Sequence, residues 1–192
     1  MYPDFKELLA VLNKHKVKYL VIGGYAVAVH AQPRVTKDLD IFILPAPGNA
    51  KAIFNALAEF GAPLSTRTSR DADPATPRRA LTAKDFEDKD KWFTFGVPPV
   101  AVDILPEIPG ITFDAAWKNR STQVIDPETG LTAHFISRDD LIAAKLASGR
   151  PQDLGDVDAL RKAAAEVTRA AAEKPVTPKP RKAAKKKPQP KP

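Results

Sequence analysis

The segment of residues 21–43, VIGGYAVAVHAQPRVTKDLDIFI, constrains the fold of this chain more than any other stretch. A strand-forming apolar run at residues 19–22 stops at Gly23 and Gly24, and residues 25–30 then have helical composition. Glycines let a phosphate approach the unpartnered N–H groups at the positive end of a helix. The segment therefore predicts a strand, a phosphate-binding turn and a helix, although most Gly-Gly pairs are ordinary turns.

Two aspartates open the next predicted strand, residues 38–44. Side chains two apart on a strand share a face, so Asp38 and Asp40 project together while Leu39 and Ile41 face the other way. Neighbouring carboxylates repel each other unless a cation lies between them, and Mg²⁺ usually takes one or two carboxylates plus substrate phosphates. The alternative is that both aspartates are solvated residues at the start of a strand.

A third carboxylate lies within another apolar, strand-forming run, residues 100–105. Asp103 falls in the middle of this run, where a buried carboxylate is costly unless it is paired, hydrogen-bonded or metal-bound. If this strand lies beside residues 38–44, Asp103 completes a three-carboxylate cluster able to hold two metal ions for displacement at phosphorus. The alternative places Asp103 on a solvent-facing side of the sheet.

Together these residues resemble the polymerase-β-like nucleotidyltransferase superfamily, and in particular its minimal bacterial branch of AbiEii-type toxins and related uncharacterised proteins. The resemblance covers roughly residues 1–165 and includes the segments RVTKDLDI, FGVPPVAVDILPEIPGITFDAAW and LIAAKLASGRPQDLGDVDAL. The family often has Gly-Ser at the turn, where Gly24 here leaves backbone contacts only. The resemblance implies an α/β (α+β) nucleotidyltransferase fold, with a small mixed sheet flanked by helices and a C-terminal helical segment.

The resemblance also implies the roles of individual residues. Asp38 and Asp40 would hold Mg²⁺ (or Mn²⁺) on the triphosphate, and Asp103 would bind a second metal or act as general base. Gly23 and Gly24 would bind phosphates through backbone N–H groups. Lys145 would contact the triphosphate, whereas composition alone predicts a solvated helix lysine.

Further charged residues surround these positions. Arg34 and Lys37 flank the aspartates and would either hold triphosphate charge or neutralise the carboxylates, and the planar fork of Arg34 suits phosphate oxygens. By resemblance, Arg150 joins the phosphate site, and Asp153 or Asp156 is an orienting or metal-linked carboxylate. Acidic residues at these two positions are also simply favourable at a helix N-terminus.

Three aromatic residues lie near the predicted site or after it. Trp92, Phe93 and Trp117 are predicted to be core and sheet-facing anchors rather than platforms for base stacking. Residues 91–96 and 100–105 are predicted to form an antiparallel hairpin. Residues 62–91 are polar and poorly periodic, which is typical of a long surface excursion.

Composition divides the chain into a domain and a tail. We predict a nucleotidyltransferase-like domain at residues 1–172, with C-terminal helices at 138–172, and a disordered Lys/Pro-rich basic tail at 173–192. The net charge of +7 lies entirely in the tail, because Lys/Arg and Asp/Glu balance in residues 1–172. The tail would either hold RNA or DNA phosphates or serve only as a solubilising extension.

The remaining sequence features concern disulfides, metal-binding thiolates and the cellular location of the protein. There are no cysteines, which excludes disulfides and thiolate metal sites. The amphipathic N-terminus lacks the uninterrupted apolar core of a signal peptide, and no later run approaches the length of a membrane span. The prediction is therefore a cytoplasmic protein without a membrane partner.

The implied reaction is the transfer of a nucleoside monophosphate from an NTP to an acceptor. The toxin relatives suggest RNA ends or protein side chains as acceptor, and they leave open a cognate antitoxin as partner. Two other hypotheses stay open. One is a noncatalytic nucleotide- or partner-binding protein with the same fold, and the other is nucleic-acid association through the basic tail.

Overall fold

The structure is a computed structural model that describes residues 1–32, 34–66, 79–97 and 100–172. Its elements in chain order are α1 (Pro3–Lys14), β1 (Tyr19–Val21), α2 (Gly23–His30), β2 (Asp38–Ile43), α3 (Pro47–Phe60), β3 (Ser65–Thr66), β4 (Arg79–Ala80), a 3₁₀ helix (Ala83–Glu87), β5 (Phe93–Val97), β6 (Val100–Leu105), α4 (Phe113–Asn119), β7 (Ser121–Asp126), β8 (Leu131–Phe135), α5 (Arg138–Ser148) and α6 (Pro151–Ala172). In this part of the chain, six strands form a mixed sheet in the order β5-β6-β2-β1-β8-β7. The predicted α/β fold, a small mixed sheet flanked by helices, is confirmed.

The direction of the central strands determines where the functional residues meet. β1 is antiparallel to β2, so the strand that leads into α2 ends at the edge of the sheet where β2 begins. β6 runs parallel to β2 and antiparallel to β5, which confirms the predicted hairpin of β5 and β6. The start of α2 and the first residues of β2 therefore lie at the same edge of the sheet.

The hydrophobic core includes one face of α1 and one face of β2. Phe5, Leu8, Leu9 and Leu12 of α1 are at most 2% exposed, as their helical spacing indicates. In β2, the apolar residues Leu39 and Ile41 are buried, whereas the two aspartates are only partly so. One face of β2 therefore belongs to the core, and the first half of the other face carries the two aspartates.

The two C-terminal helices are joined tightly. The Ser137 hydroxyl caps α5 by accepting a hydrogen bond from the Asp140 N–H at 3.2 Å, as is common for serine at a helix N-terminus. α5 ends at Gly149, which adopts the left-handed conformation that glycine tolerates best (φ +66°). α6 begins only two residues later and packs against α5, so Lys145 lies close to the first turns of α6.

The structure corrects one prediction about the aromatic residues. Trp92 is 54% exposed, so its assignment to the core is wrong, while Phe93 is fully buried. Trp117 is partly buried and stacks on Phe113 with ring centroids 5.6 Å apart. Trp92 precedes β5 and Phe93 begins it, and adjacent residues of an extended chain face opposite ways. Burying Phe93 therefore turns Trp92 away from the core.

Other predictions fall partly or wholly outside the described residues. The basic tail at residues 173–192 lies outside them, as do residues 67–78 of the predicted surface excursion. The division into a domain at 1–172 and a tail stays a prediction. Among the described helices, none combines the length and apolarity required to cross a membrane.

Candidate active site

Two aspartates lie side by side on adjacent parallel strands, and a third lies two residues before one of them. Asp40 of β2 lies directly beside Asp103 of β6, and Asp38 pairs with Ala101 in the same register. Neighbouring strands are about 4.8 Å apart, so the side chains of Asp40 and Asp103 are within range of strong repulsion. β6 thus occupies the position that Asp103 needs in order to join the other two carboxylates.

The electrostatics of Asp40 reflect this crowding. Burial, followed by the negative charges of Asp103 and Asp38, raises the pKa of Asp40 to about 6, although Lys145 and Arg150 act in the opposite direction. The group is thus a carboxylate whose negative charge is disfavoured in the folded protein. A cation bound between the aspartates would relieve this penalty.

Within the described part of the chain, Asp38 has a buried carboxylate oxygen without a hydrogen-bond partner, which is a second indication of a ligand-binding site. Its Oδ1 atom is buried and has no hydrogen-bond partner among the described residues. A buried acceptor without a partner costs about 1–3 kcal/mol, and such atoms call for an explanation such as an ion or a water. The donor set of aspartate oxygens is the one that Mg²⁺ or Mn²⁺ prefers.

The metal site is not complete in protein ligands. Within residues 1–32, 34–66, 79–97 and 100–172, no three His, Cys, Asp or Glu side chains converge as a ready metal cage. Mg²⁺ commonly keeps several waters and completes its coordination with substrate phosphates, so the aspartates still fit such an ion. Metal binding by Asp38, Asp40 and Asp103 stays a prediction.

Gly23 is required by the geometry of the site. α2 begins at this residue, two positions earlier than predicted, with a φ of +61° that side chains rarely adopt. A Cβ built at Gly23 would overlap Oδ2 of Asp40. The absence of a side chain therefore lets the carboxylate lie against the first turn of α2, whose first N–H groups have no partner within the helix.

Gly24 is small for a different reason. A Cβ at this position would come within 2.6 Å of both Oγ1 and Cβ of Thr36, which precedes β2. A serine here would require Thr36 to move. The packing against Thr36 thus favours glycine at this position.

Asp103 is held by a neighbouring strand. The Thr94 hydroxyl on β5 donates to Oδ1 of Asp103 at 2.6 Å, and these two residues are paired in register. The hydrogen bond limits the rotation of the carboxylate. Sequence analysis did not single out Thr94, although the predicted hairpin could have indicated that it faces Asp103.

A buried ion network lies at the junction of α5 and α6. The Lys145 ammonium donates to Asp153 at 2.9 Å and to Asp156 at 2.7 Å, and its side chain is only 8% exposed. The expectation of a solvated helix lysine is therefore wrong. The two aspartates are buried as partners of Lys145, and Asp153 alone lies in the first turn of α6.

Two arginines complete this network. Arg34 donates to both oxygens of Asp156, at 2.7 and 3.0 Å, and Arg150 donates to Asp153 at 2.6 Å. Burial alone would raise the pKa of Asp153, but hydrogen bonds from Arg150 and Lys145 outweigh it and lower the pKa to about 2. For Asp156, burial likewise acts to raise the pKa, but hydrogen bonds from Arg34 and Lys145 outweigh it and lower the pKa. Both carboxylates are thus ionised at neutral pH.

A cavity of about 540 Å³ connects the aspartates to the ion network. Among the predicted site residues, those that line it are Gly23, Asp40, Asp103, Lys145, Arg150 and Asp153. The predicted residues outside the lining are Gly24, Arg34, Lys37, Asp38 and Asp156. Lys37 is exposed and makes no hydrogen bond to another described residue, while Arg34 is engaged by Asp156. The cavity lining thus contains three carboxylates and two cationic side chains.

The lining also contains residues that sequence analysis missed. Apolar side chains from the end of β6, the following loop and α5 form part of the wall: Leu105, Ile108, Pro109, Leu141 and Ala144. Trp92 joins them. The alternation of Trp92, Phe93 and Thr94 was a usable signal, because it places Trp92 on the same side as Thr94.

Comparison with known proteins agrees with this geometry. No curated protein matches the chain at a significant level. A sequence model of the family described as "Nucleotidyltransferase of unknown function (DUF6036)" matches residues 4–163, a span that includes all three aspartates, Lys145 and the start of α6. The chain therefore belongs to this nucleotidyltransferase family.

Proposed function

We propose that this protein is a metal-dependent nucleotidyltransferase that moves a nucleoside monophosphate from an NTP to an RNA or protein acceptor. The observation that carries the proposal is the register of β2 and β6, which sets Asp40 beside Asp103 while Gly23 lets Asp40 lie against the start of α2. Carboxylates for a cation and free N–H groups for a phosphate thus share one edge of the sheet.

The aspartates would hold the metal. Asp38, Asp40 and Asp103 offer oxygen ligands for Mg²⁺ or Mn²⁺, and the ion when bound supplies positive charge to the triphosphate. The N–H groups of Gly23 and Gly24 would donate to phosphate oxygens. A bound cation would offset the burial and the negative charges of Asp103 and Asp38, which together raise the pKa of Asp40.

The transfer step is a substitution at the α-phosphorus. The acceptor hydroxyl oxygen forms the new P–O bond, the bond from the α-phosphorus to the oxygen bridging to the β-phosphate breaks, and pyrophosphate leaves. The hydroxyl proton passes to a carboxylate, for which we propose Asp103. Thr94 holds one oxygen of Asp103 at 2.6 Å, so the orientation of this carboxylate is fixed.

The cations of the network would bind the leaving pyrophosphate. Lys145 has three N–H donors, of which Asp153 and Asp156 accept two, so one is left for a phosphate oxygen. The Arg150 side chain is 75% exposed and lines the cavity, so its guanidinium can reach a ligand. Arg34 is proposed to act indirectly, by holding Asp156 in place.

The setting we propose is a toxin of a toxin–antitoxin pair. The support is the resemblance to the AbiEii-type branch, which also suggests a cognate antitoxin as partner. The charge of +7 carried by residues 173–192 favours RNA over protein as the acceptor.

The proposal is tested by incubating each α-labelled NTP with Mg²⁺ and total cellular RNA or protein. We expect label transfer and pyrophosphate release by the wild type and neither by the Asp38→Asn/Asp40→Asn double variant. Asp158→Asn serves as the matched control, because Asp158 is an exposed carboxylate on α6. Mg²⁺-dependent NTP binding without transfer would indicate a noncatalytic protein. Activity that needs residues 173–192 but not the aspartates would indicate nucleic-acid association through the tail.

A further inference from the structure

The lining of the cavity changes from charged to apolar along β6. The part around Asp40 and Asp103, where Lys145 and Arg150 act on Asp40, is its charged end, to which the proposed function assigns the metal and the triphosphate. Leu105 lies two residues beyond Asp103, and Trp92 precedes Phe93, which pairs with Ile104, so the part around Leu105 and Trp92 is its apolar end. A ligand that fills the cavity therefore needs one charged part and one flat or apolar part.

Trp92 is exposed to an unusual degree for its type. Tryptophan is highly buried on average, yet 54% of Trp92 is accessible, and the next residue, Phe93, is fully buried. Trp92 also makes no ring contact with another described aromatic side chain. The backbone thus presents an indole surface to the cavity instead of to the core.

The distance between the two ends suits a nucleotide. Leu105 follows Asp103 by two residues on β6, so the two side chains share a face about 7 Å apart along the strand. In a nucleotide the ribose separates the α-phosphate from the base. A triphosphate held near Asp103 would therefore direct its base towards Leu105 and Trp92.

We propose that Trp92 is the stacking platform for the nucleobase of the NTP. The inference rests on the proposed function, because it takes the triphosphate to lie at the charged end. Indole rings stack on every base and bind it largely through its flat face, as in sites where aromatic side chains hold single-stranded nucleic acids. The apolar wall beside Trp92 would exclude water from the base.

The lining also indicates how selective the site is. Among its described side chains there is no Asn or Gln, and Ser148 is the one uncharged polar side chain. The charged side chains of the lining are engaged by the metal, the triphosphate or each other in the proposed function, so the larger purine surface should matter more than the base edge. We expect purine NTPs to bind more tightly than pyrimidine NTPs, with ATP and GTP within about tenfold of each other.

The test uses the two tryptophans of the chain. In a Trp117→Phe background, Trp92 is the only tryptophan, and Trp117 itself lies outside the cavity lining. We expect its fluorescence to be quenched by each NTP with Mg²⁺. Tripolyphosphate, which has no base, should bind at the charged end by calorimetry and leave the fluorescence unchanged.

Substitutions then measure the contribution of the ring. Trp92→Ala should weaken NTP binding by about 10- to 100-fold, the range of one base–aromatic stack, and Trp92→Phe should retain most of the affinity. Neither substitution should change the affinity for tripolyphosphate. Because Trp92 is exposed, both variants should fold, which circular dichroism verifies.

The outcomes separate this inference from the proposed function. If Trp92→Ala binds and transfers NTPs like the wild type, the inference is overturned while the transferase proposal stands. If Trp92→Ala loses NTP affinity but the wild type transfers no nucleotide, the stacking platform stands and the transferase proposal fails. Equal weakening of NTP and tripolyphosphate binding, or no NTP binding by the wild type, overturns the inference.

Discussion

Asp40→Asn should make the metal-free protein more stable, although it removes a proposed metal ligand. Burial and the charges of Asp103 and Asp38 raise the pKa of Asp40 from 3.8 to about 6. At about 1.4 kcal/mol per pKa unit, the ionised carboxylate costs the folded state about 3 kcal/mol. Since asparagine retains some of the cost of a buried polar group, we expect a gain of about 1–3 kcal/mol at pH 8.

The pH dependence of this gain has a definite sign. Between about pH 4 and pH 6 the folded state binds more protons at Asp40 than the unfolded chain does, so Asp40 lowers stability as the pH rises through this range. Asparagine does not titrate. The advantage of the variant should therefore be near zero at pH 4 and complete above pH 6.

The assay is urea denaturation with EDTA at several pH values, repeated with Mg²⁺ at pH 8. Mg²⁺ should stabilise the wild type, because it binds only the folded site, and should have little effect on Asp40→Asn. Asp158→Asn is the matched control and should change stability by less than about 0.5 kcal/mol. An Asp40→Asn variant that is less stable than the wild type at pH 8, or that Mg²⁺ stabilises equally, would refute the reasoning.

Three further predictions concern residues around the carboxylates. Gly23→Ala puts a Cβ into the space of the Asp40 carboxylate at a φ of +61°, so we expect a loss of about 2 kcal/mol or more in urea denaturation. Lys145→Met leaves two buried carboxylates without their shared cation and should cost about 3–5 kcal/mol in the same assay. Burial opposes ionisation of Asp153, yet hydrogen bonds from Arg150 and Lys145 lower its pKa to about 2. The stability of the protein, followed by circular dichroism, should therefore fall as the pH drops from about 4 to about 2.

Each of these predictions has a control within the chain. Gly48→Ala adds a Cβ that meets no atom within 4 Å, so Gly23→Ala costing no more than Gly48→Ala would contradict the close approach. Arg150→Ala removes a side chain that is 75% exposed and should cost less than about 1 kcal/mol. If Lys145→Met lowered the free energy of unfolding as little as Arg150→Ala does, the result would contradict the buried network. An acid transition that Asp153→Asn leaves unchanged would contradict the role of that carboxylate.

Local patterns were sufficient to predict much of the site. Alternation along β2 put Asp38 and Asp40 on one face, and the length and composition of β5 and β6 predicted their hairpin. Both features depend on residues close in sequence. The Ser137 cap was equally readable, because its partner lies three residues away.

Features that depend on distant contacts could not be predicted from such patterns. Arg34 binds Asp156, which is 122 residues away, and Lys145 is buried only because α6 packs back against α5. The sequence around Lys145 is typical of an exposed helix face, so its burial follows from tertiary packing. For Trp92, the size of the indole suggested the core, whereas the alternation with Phe93 indicated the cavity.

The central claim is the transfer of a nucleotidyl group at the aspartates, and parallel reactions with α-labelled and γ-labelled NTP test it most directly. The account predicts that label from the α-position reaches the acceptor, that label from the γ-position leaves as pyrophosphate, and that Asp38→Asn/Asp40→Asn abolishes both. Transfer of the γ-label to the acceptor would indicate phosphoryl transfer. That result, or α-label transfer undiminished in the double variant, would contradict the account.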